Sequence, residues 1–227
     1  MSHPGRGFST RTLQGLVLPV FSLAIFALVA IAVPSSGAEV SEAEKTAAAG
    51  PRAALAKTLD GVVAVLSDPA LDAAQRRERI EVIAYASFDF ETMSRAVLGK
   101  KWRSLSADQK VTFIGEFKQL LSRSYGRRLG RWGDEEIAIV GDRAESRGDV
   151  IVETRIVGGD FDGAAIDYRL RKAPDGEWRA IDVVVEGVRL VSIYRTQFRD
   201  AMAKGGAEDL LRQMKQKNAK AVVGSGS

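Results

Sequence analysis

Apolar residues recur at three- and four-residue spacing through the first half of the chain and at alternate positions through much of the second, so the sequence predicts helices followed by a sheet. Leu55, Leu59, Val62, Val63 and Leu66 share one face of a helix that stops at Ser67-Asp68-Pro69, where proline blocks continuation. Asp72-Ala73-Ala74-Gln75 has the form of a capping box and opens a second helix through Ile80, Ile83 and Ala84. Phe88-Asp89-Phe90 begins a third, short helix with Met93, Ala96, Val97 and Leu98 inward, ended by Gly99. A second capping box, Ser106-Ala107-Asp108-Gln109, starts the longest helix, whose stripe is Phe113, Ile114, Phe117, Leu120, Leu121 and Tyr125.

The period changes after Gly133. Ile137 to Val140, Val150 to Val157, Ala165 to Arg171 and Trp178 to Glu186 are β-rich runs, separated by Gly158-Gly159, Asp162-Gly163 and Pro174-Asp175-Gly176. Turns this short predict an antiparallel meander. In the third run Ile166, Tyr168 and Leu170 alternate with Asp167, Arg169 and Arg171, which gives one apolar and one solvated face. Helix then returns with Leu190, Ile193, Tyr194, Phe198 and Met202, breaks at Gly205-Gly206, and resumes at Leu210, Leu211 and Met214.

This order predicts an α+β fold: a four-stranded antiparallel curved sheet, covered on one face by N- and C-terminal helices and enclosing an apolar cavity. The predicted boundaries are a signal peptide over 1–38, a flexible mature N-terminus over 39–50, a single domain over 51–220 and a disordered tail over 221–227. The signal segment has a positive start (Arg6, Arg11), an apolar stretch from Leu13 to Val33, and small residues at Ser36-Gly37-Ala38, with cleavage expected after Ala38. An uncleaved membrane anchor is the alternative, weakened by Pro19, Gln14 and Ser22.

Composition narrows the chemistry. The one histidine of the 227 residues is His3, inside the signal segment, and there is no cysteine. A mature protein without either has no imidazole base, thiolate nucleophile or histidine- or thiolate-based metal site, so binding is expected rather than catalysis, with no cofactor and no metal. The net charge of +4 falls to +2 once Arg6 and Arg11 are removed, and nothing calls for nucleic acid.

Phe88-Asp89-Phe90-Glu91-Thr92-Met93-Ser94-Arg95, Val97-Leu98-Gly99-Lys100 with Trp102, Asp182-Val183-Val184-Val185-Glu186-Gly187-Val188 and Tyr194-Arg195-Thr196-Gln197-Phe198 together resemble the MlaC (toluene-tolerance) family over roughly residues 52–217. The resemblance implies a periplasmic carrier of diacyl phospholipid. It further implies transfer between an inner-membrane ABC transporter complex and an outer-membrane lipoprotein complex, which maintains outer-membrane lipid asymmetry. A monomer is expected. The sequence departs from the family at Arg189, where a small polar residue is usual, so headgroup and partner details do not carry over at that position.

Facing stripes supply the candidate lipid-binding residues. The helices offer Val97, Leu98, Trp102, Phe117, Leu121, Tyr125, Leu190, Tyr194 and Phe198; the sheet offers Val152, Ile166, Tyr168, Leu170, Ile181, Val183 and Val185. Tyr125, Tyr168 and Tyr194 are expected at the mouth, with rings toward the tails and hydroxyls in water. Arg127, Arg128, Arg131, Arg189 and Arg195 are candidates for a positive rim that meets a headgroup or an acidic partner, or else for solvated helix ends.

Two alternatives belong to other classes. A small isomerase- or dehydratase-like enzyme on a cone-shaped α+β fold would need a carboxylate base in the cavity, for which Asp167 and Asp182 are the candidates. A membrane-anchored adaptor would use the groove for a protein helix instead of lipid.

Overall fold

The computed structural model describes residues 50–129, 135–159 and 162–223, without the side chains of residues 125–129 and 220–223. The predicted signal segment 1–38, residues 39–49, Arg131 and residues 224–227 lie outside the described residues.

Helix α1 (Pro51–Leu66) starts on Gly50 with proline in its first turn and ends where the Ser67 amide donates to the Val63 carbonyl. Helix α2 (Ala73–Ser87) opens on the capping box foreseen at Asp72: its carboxylate accepts from the amides of Ala74 and Gln75, and the Gln75 side chain accepts from the Asp72 amide. Helix α3 (Phe90–Leu98) is capped by Asp89, whose carboxylate accepts from the Thr92 amide at 2.8 Å, and ends at Gly99 with φ +56°. A 3-10 turn over Gly99–Ser104 leads to helix α4 (Ala107–Leu129), capped reciprocally by Ser106 and Gln109.

Strands β1 (Glu136–Ala144), β2 (Val150–Val157), β3 (Ala165–Lys172) and β4 (Trp178–Val185) form the expected antiparallel meander. The sheet has a fifth member, β5 (Val188–Arg189), so the four-stranded expectation is corrected to an order β1-β2-β3-β4-β5. Two residues are too few to display an alternation. What makes the strand is the turn before it, where Glu186 and Gly187 both take positive φ (48° and 77°), the geometry of a tight two-residue hairpin. Helix α5 (Leu190–Val223) follows at once and breaks at Gly206, with φ 69° and ψ −165°. Its backbone runs three residues beyond the predicted end at 220.

The sheet's apolar face carries Ile137, Val152, Ile156, Ile166, Tyr168, Leu170, Val183 and Val185, joined in one core with buried residues of all five helices. The opposite face is charged and its ions are paired. Arg143 meets Glu153 at 3.0 Å and Arg155 meets Asp167 at 3.3 Å. The carboxylate of Asp149, with no side-chain exposure, is held by Arg169 at 2.7 Å and Arg171 at 2.6 Å. The β1 edge and the stretch of β4 that the short β5 leaves unpaired are covered in part. Arg52 donates to the Ile139 carbonyl on β1, and the Asp89 amide donates to Ala180 on β4 beside a parallel bridge from Phe88.

Burial pushes the Asp149 carboxyl pKa up, but the hydrogen bonds and charges of Arg171 and Arg169 outweigh it and hold the pKa below the usual carboxylate range. A carboxyl with its pKa depressed in the folded state contributes stability above its unfolded pKa, and that stability is lost as pH falls through the folded value. Asp149→Asn is therefore expected to lose about 1–3 kcal/mol at neutral pH. The deficit should shrink as pH drops below about 4. Urea unfolding at a series of pH values checks this; a deficit independent of pH would refute the linkage.

Candidate functional site

Helices α4 and α5 meet through aromatic rings. Phe113 stacks on Phe117 with centroids 5.8 Å apart, and Phe198 stands edge-on to both, at 5.5 Å and 5.9 Å. Tyr194 lies edge-on to Phe117 at 5.3 Å, and Trp102 meets Phe113 at 6.4 Å. Four-residue spacing produces this cluster: Phe113 and Phe117 on one helix, and Tyr194 and Phe198 on the other, each project from the same face. The same connected core contains Val97 and Leu98 on α3, Leu121 on α4, Leu190 on α5, and Val152, Ile166, Tyr168, Leu170, Val183 and Val185 on the sheet. The helical and sheet candidates thus form one apolar interior.

Several candidates are placed differently. Ile181 is buried but stands outside this core. Strict alternation would set it beside Val183 and Val185; a bulge intervenes, because Asp182 pairs with Arg169 while Ala180 pairs with the next residue, Leu170. Tyr168 is not a wet mouth residue. It is 2% exposed, its hydroxyl is buried with no hydrogen-bond partner among the described residues, and burial raises the pKa of its phenol well above the ordinary value. Tyr194 is also buried. The side chains of Tyr125, Arg127 and Arg128 lie outside the described residues. Phe113, fully buried at the centre of the aromatic cluster, was not among the candidates, although its spacing to Phe117 signals it.

The two described rim arginines both have protein partners. Arg195 donates twice to the Ala96 carbonyl, at 2.9 and 2.7 Å, near the C-terminal end of α3. Arg189 donates to Asp182 at 2.7 Å and remains half exposed. Asp182, 1% exposed, also accepts from the amides of Val191 and Val183, each at 3.0 Å. A β4 carboxylate thereby caps the first turn of α5 from a distance. Asp167 sits on the charged face against Arg155, away from the interior. Among the described residues no helix is long and apolar enough to cross a membrane.

The fold and interior define a class: an α+β domain in which one sheet shares its apolar face with a layer of helices, while the buried carboxylates Asp149 and Asp182 are hydrogen-bonded away from it. A profile described as "MlaC protein" matches residues 56–216, and the chain belongs to the MlaC family. The chain is 26% identical over 119 residues to the toluene tolerance protein ttg2D of Pseudomonas putida, a match covering 52% of this chain and 55% of that protein. It thus spans about half the length of that relative. It is 23% identical over 150 residues to the intermembrane phospholipid transport system binding protein MlaC of Haemophilus influenzae, covering 64% of this chain and 68% of that protein. The solved structure of a phospholipid-binding protein from Ralstonia solanacearum, in complex with a phospholipid, superposes with a TM-score of 0.68 at 26% identity, covering 76% of this chain and 98% of that one.

Removal of the Asp182 carboxylate would leave two buried amides and a guanidinium without their acceptor. Asp182→Ala is expected to destabilise the fold by about 2–4 kcal/mol, and Arg189→Ala, at a half-exposed position, by less than about 1 kcal/mol. Chemical denaturation of both variants checks the order; equal losses would show that the amide contacts are not what matters.

Proposed function

We propose that this chain is a periplasmic phospholipid carrier that receives a diacyl lipid from one membrane-bound complex and delivers it to another, an inner-membrane ABC transporter and an outer-membrane lipoprotein assembly being its two stations. The observation that carries this reading is the single apolar interior shared by the α4–α5 aromatic cluster and the sheet face. Its similarity to a protein solved with a phospholipid supports it.

The physical need is plain. A diacyl lipid exposes about thirty methylenes, and at ~0.8 kcal/mol each their transfer into water costs on the order of 20 kcal/mol. A soluble carrier must cover those tails. Here the helices and the sheet present apolar side chains to each other across the whole interface, so acyl chains are admitted by parting the two layers and taking over their contacts. Arg189, half exposed, would stand outside the dry region, where an anionic headgroup can meet it. A passive carrier equilibrates between its stations according to their relative affinities, so direction belongs to the energised partner.

An enzyme fits these residues less well. Asp182 is engaged by three donors, and Asp167 is paired on the charged face, so neither is a base poised in the apolar interior.

Native mass spectrometry of protein purified from an expressing cell, followed by organic extraction, tests the proposal. About one phospholipid per chain is expected, together with transfer of labelled lipid between vesicles. A lipid-free protein that transfers nothing would refute it. The same samples should lack residues 1–38 if the leader is removed after Ala38.

A further inference from the structure

Between α1, the α2–α3 junction and the sheet lies a small cavity of about 20 Å³, whose lining includes Leu55, Thr58, Ser87, Tyr168, Leu170 and Trp178. Most of the lining residues are apolar; the polar side-chain groups among them are the indole N–H of Trp178 and the hydroxyls of Tyr168, Thr58 and Ser87.

Their hydrogen bonding is uneven. Thr58 Oγ1 stands 3.0 Å from the Ala54 carbonyl and 3.0 Å from Ser87 Oγ, so the two short side chains serve each other and the helix backbone and still keep lone pairs free. Tyr168 is the reverse case: its Oη is fully buried and, among the described residues, has no partner. Burial also keeps the phenol protonated, so it remains a donor. A buried donor left unmet is destabilising, so one retained in the fold calls for an acceptor. The size of the space limits what can enter: a single water needs roughly 10–15 Å³, so one oxygen atom fits.

We propose that this cavity is a one-oxygen site, in which Tyr168 donates to a single accepting oxygen held between the sheet and α1. One source is an internal water, which would in turn donate to Ser87 or Thr58. The other is an ester carbonyl of a bound acyl lipid, and that source alone rests on the carrier reading. A water so placed would tie β3 to α1, and the Thr58–Ser87 pair would extend the tie to the end of α2.

A crystal structure at a resolution that shows ordered water, combined with unfolding of Tyr168→Phe, tests the site. The expected result is density for one oxygen within hydrogen-bond distance of Tyr168 Oη. An isolated peak within reach of Ser87 or Thr58 identifies water, and a peak continuous with acyl density identifies cargo. Tyr168→Phe should then lower the folding equilibrium constant roughly tenfold, because a satisfied hydroxyl is removed. In the cargo case the loss appears with lipid bound and disappears after delipidation. A Tyr168 hydroxyl bonded to a protein group, or a dry cavity with Tyr168→Phe as stable as the parent or more so, would overturn the proposal. A protein that carries no lipid but holds the water would leave this site standing and remove only the carrier.

Discussion

A sheet that is apolar on one face must keep that face from water, and the rest of this structure follows from how the chain meets that constraint. The meander has one such face, from Ile137 on β1 to Val185 on β4, and the helices on either side of it in sequence supply the cover. Their own stripes are apolar for the same reason, so neither layer is stable without the other. The interior is consequently an interface between two layers that the chain joins only at the start of β1 and at the β5–α5 corner.

Polar groups mark the margins of that interface and fix its geometry. Asp182 binds the first turn of α5 to β4, Arg195 binds the same helix to the end of α3, and Asn218, buried near the far end of α5, donates to the carbonyl and carboxylate of Glu116 on α4. Each of these three residues makes at least one hydrogen bond to a backbone amide or carbonyl, which is directional in a way that the apolar packing is not. The break at Gly206 lets α5 follow this path, since only glycine takes that conformation cheaply. The apolar interior is thus held at its edges while its centre depends on side-chain packing alone.

What the sequence reveals of this arrangement depends on the range of the signal. Caps are local, so Asp72-Gln75 and Ser106-Gln109 could be read from four residues each and appear as expected. Alternation is nearly as local, and the β2, β3 and β4 runs are placed to within a residue. Bulges are not local. Nothing in Ala180-Ile181-Asp182 announces that the pairing of β3 and β4 will slip there, and that slip takes Ile181 out of the core. Depth is likewise a tertiary property. Tyr168 alternates correctly, yet its distance from the surface is set by helices far away in sequence, which is why a hydroxyl expected in water lies buried. Arg189 combines both limits, since its partner Asp182 is reached across a hairpin turn that the run of valines conceals.

That the candidate lipid residues are also the core residues has a consequence for a carrier of the kind proposed. A rigid, preformed slot would retain a diacyl lipid with most of the ~20 kcal/mol of its tail burial, near the ceiling of non-covalent affinity, and release would be too slow to be useful. When cargo instead replaces side-chain contacts already made, only the difference between the two sets of contacts appears as affinity. In the proposed carrier Phe113, Phe117, Tyr194 and Phe198 would exchange ring contacts for acyl contacts of similar strength, which would draw the net binding energy toward the range in which either station can win. The close packing of the interior then favours turnover as well as stability.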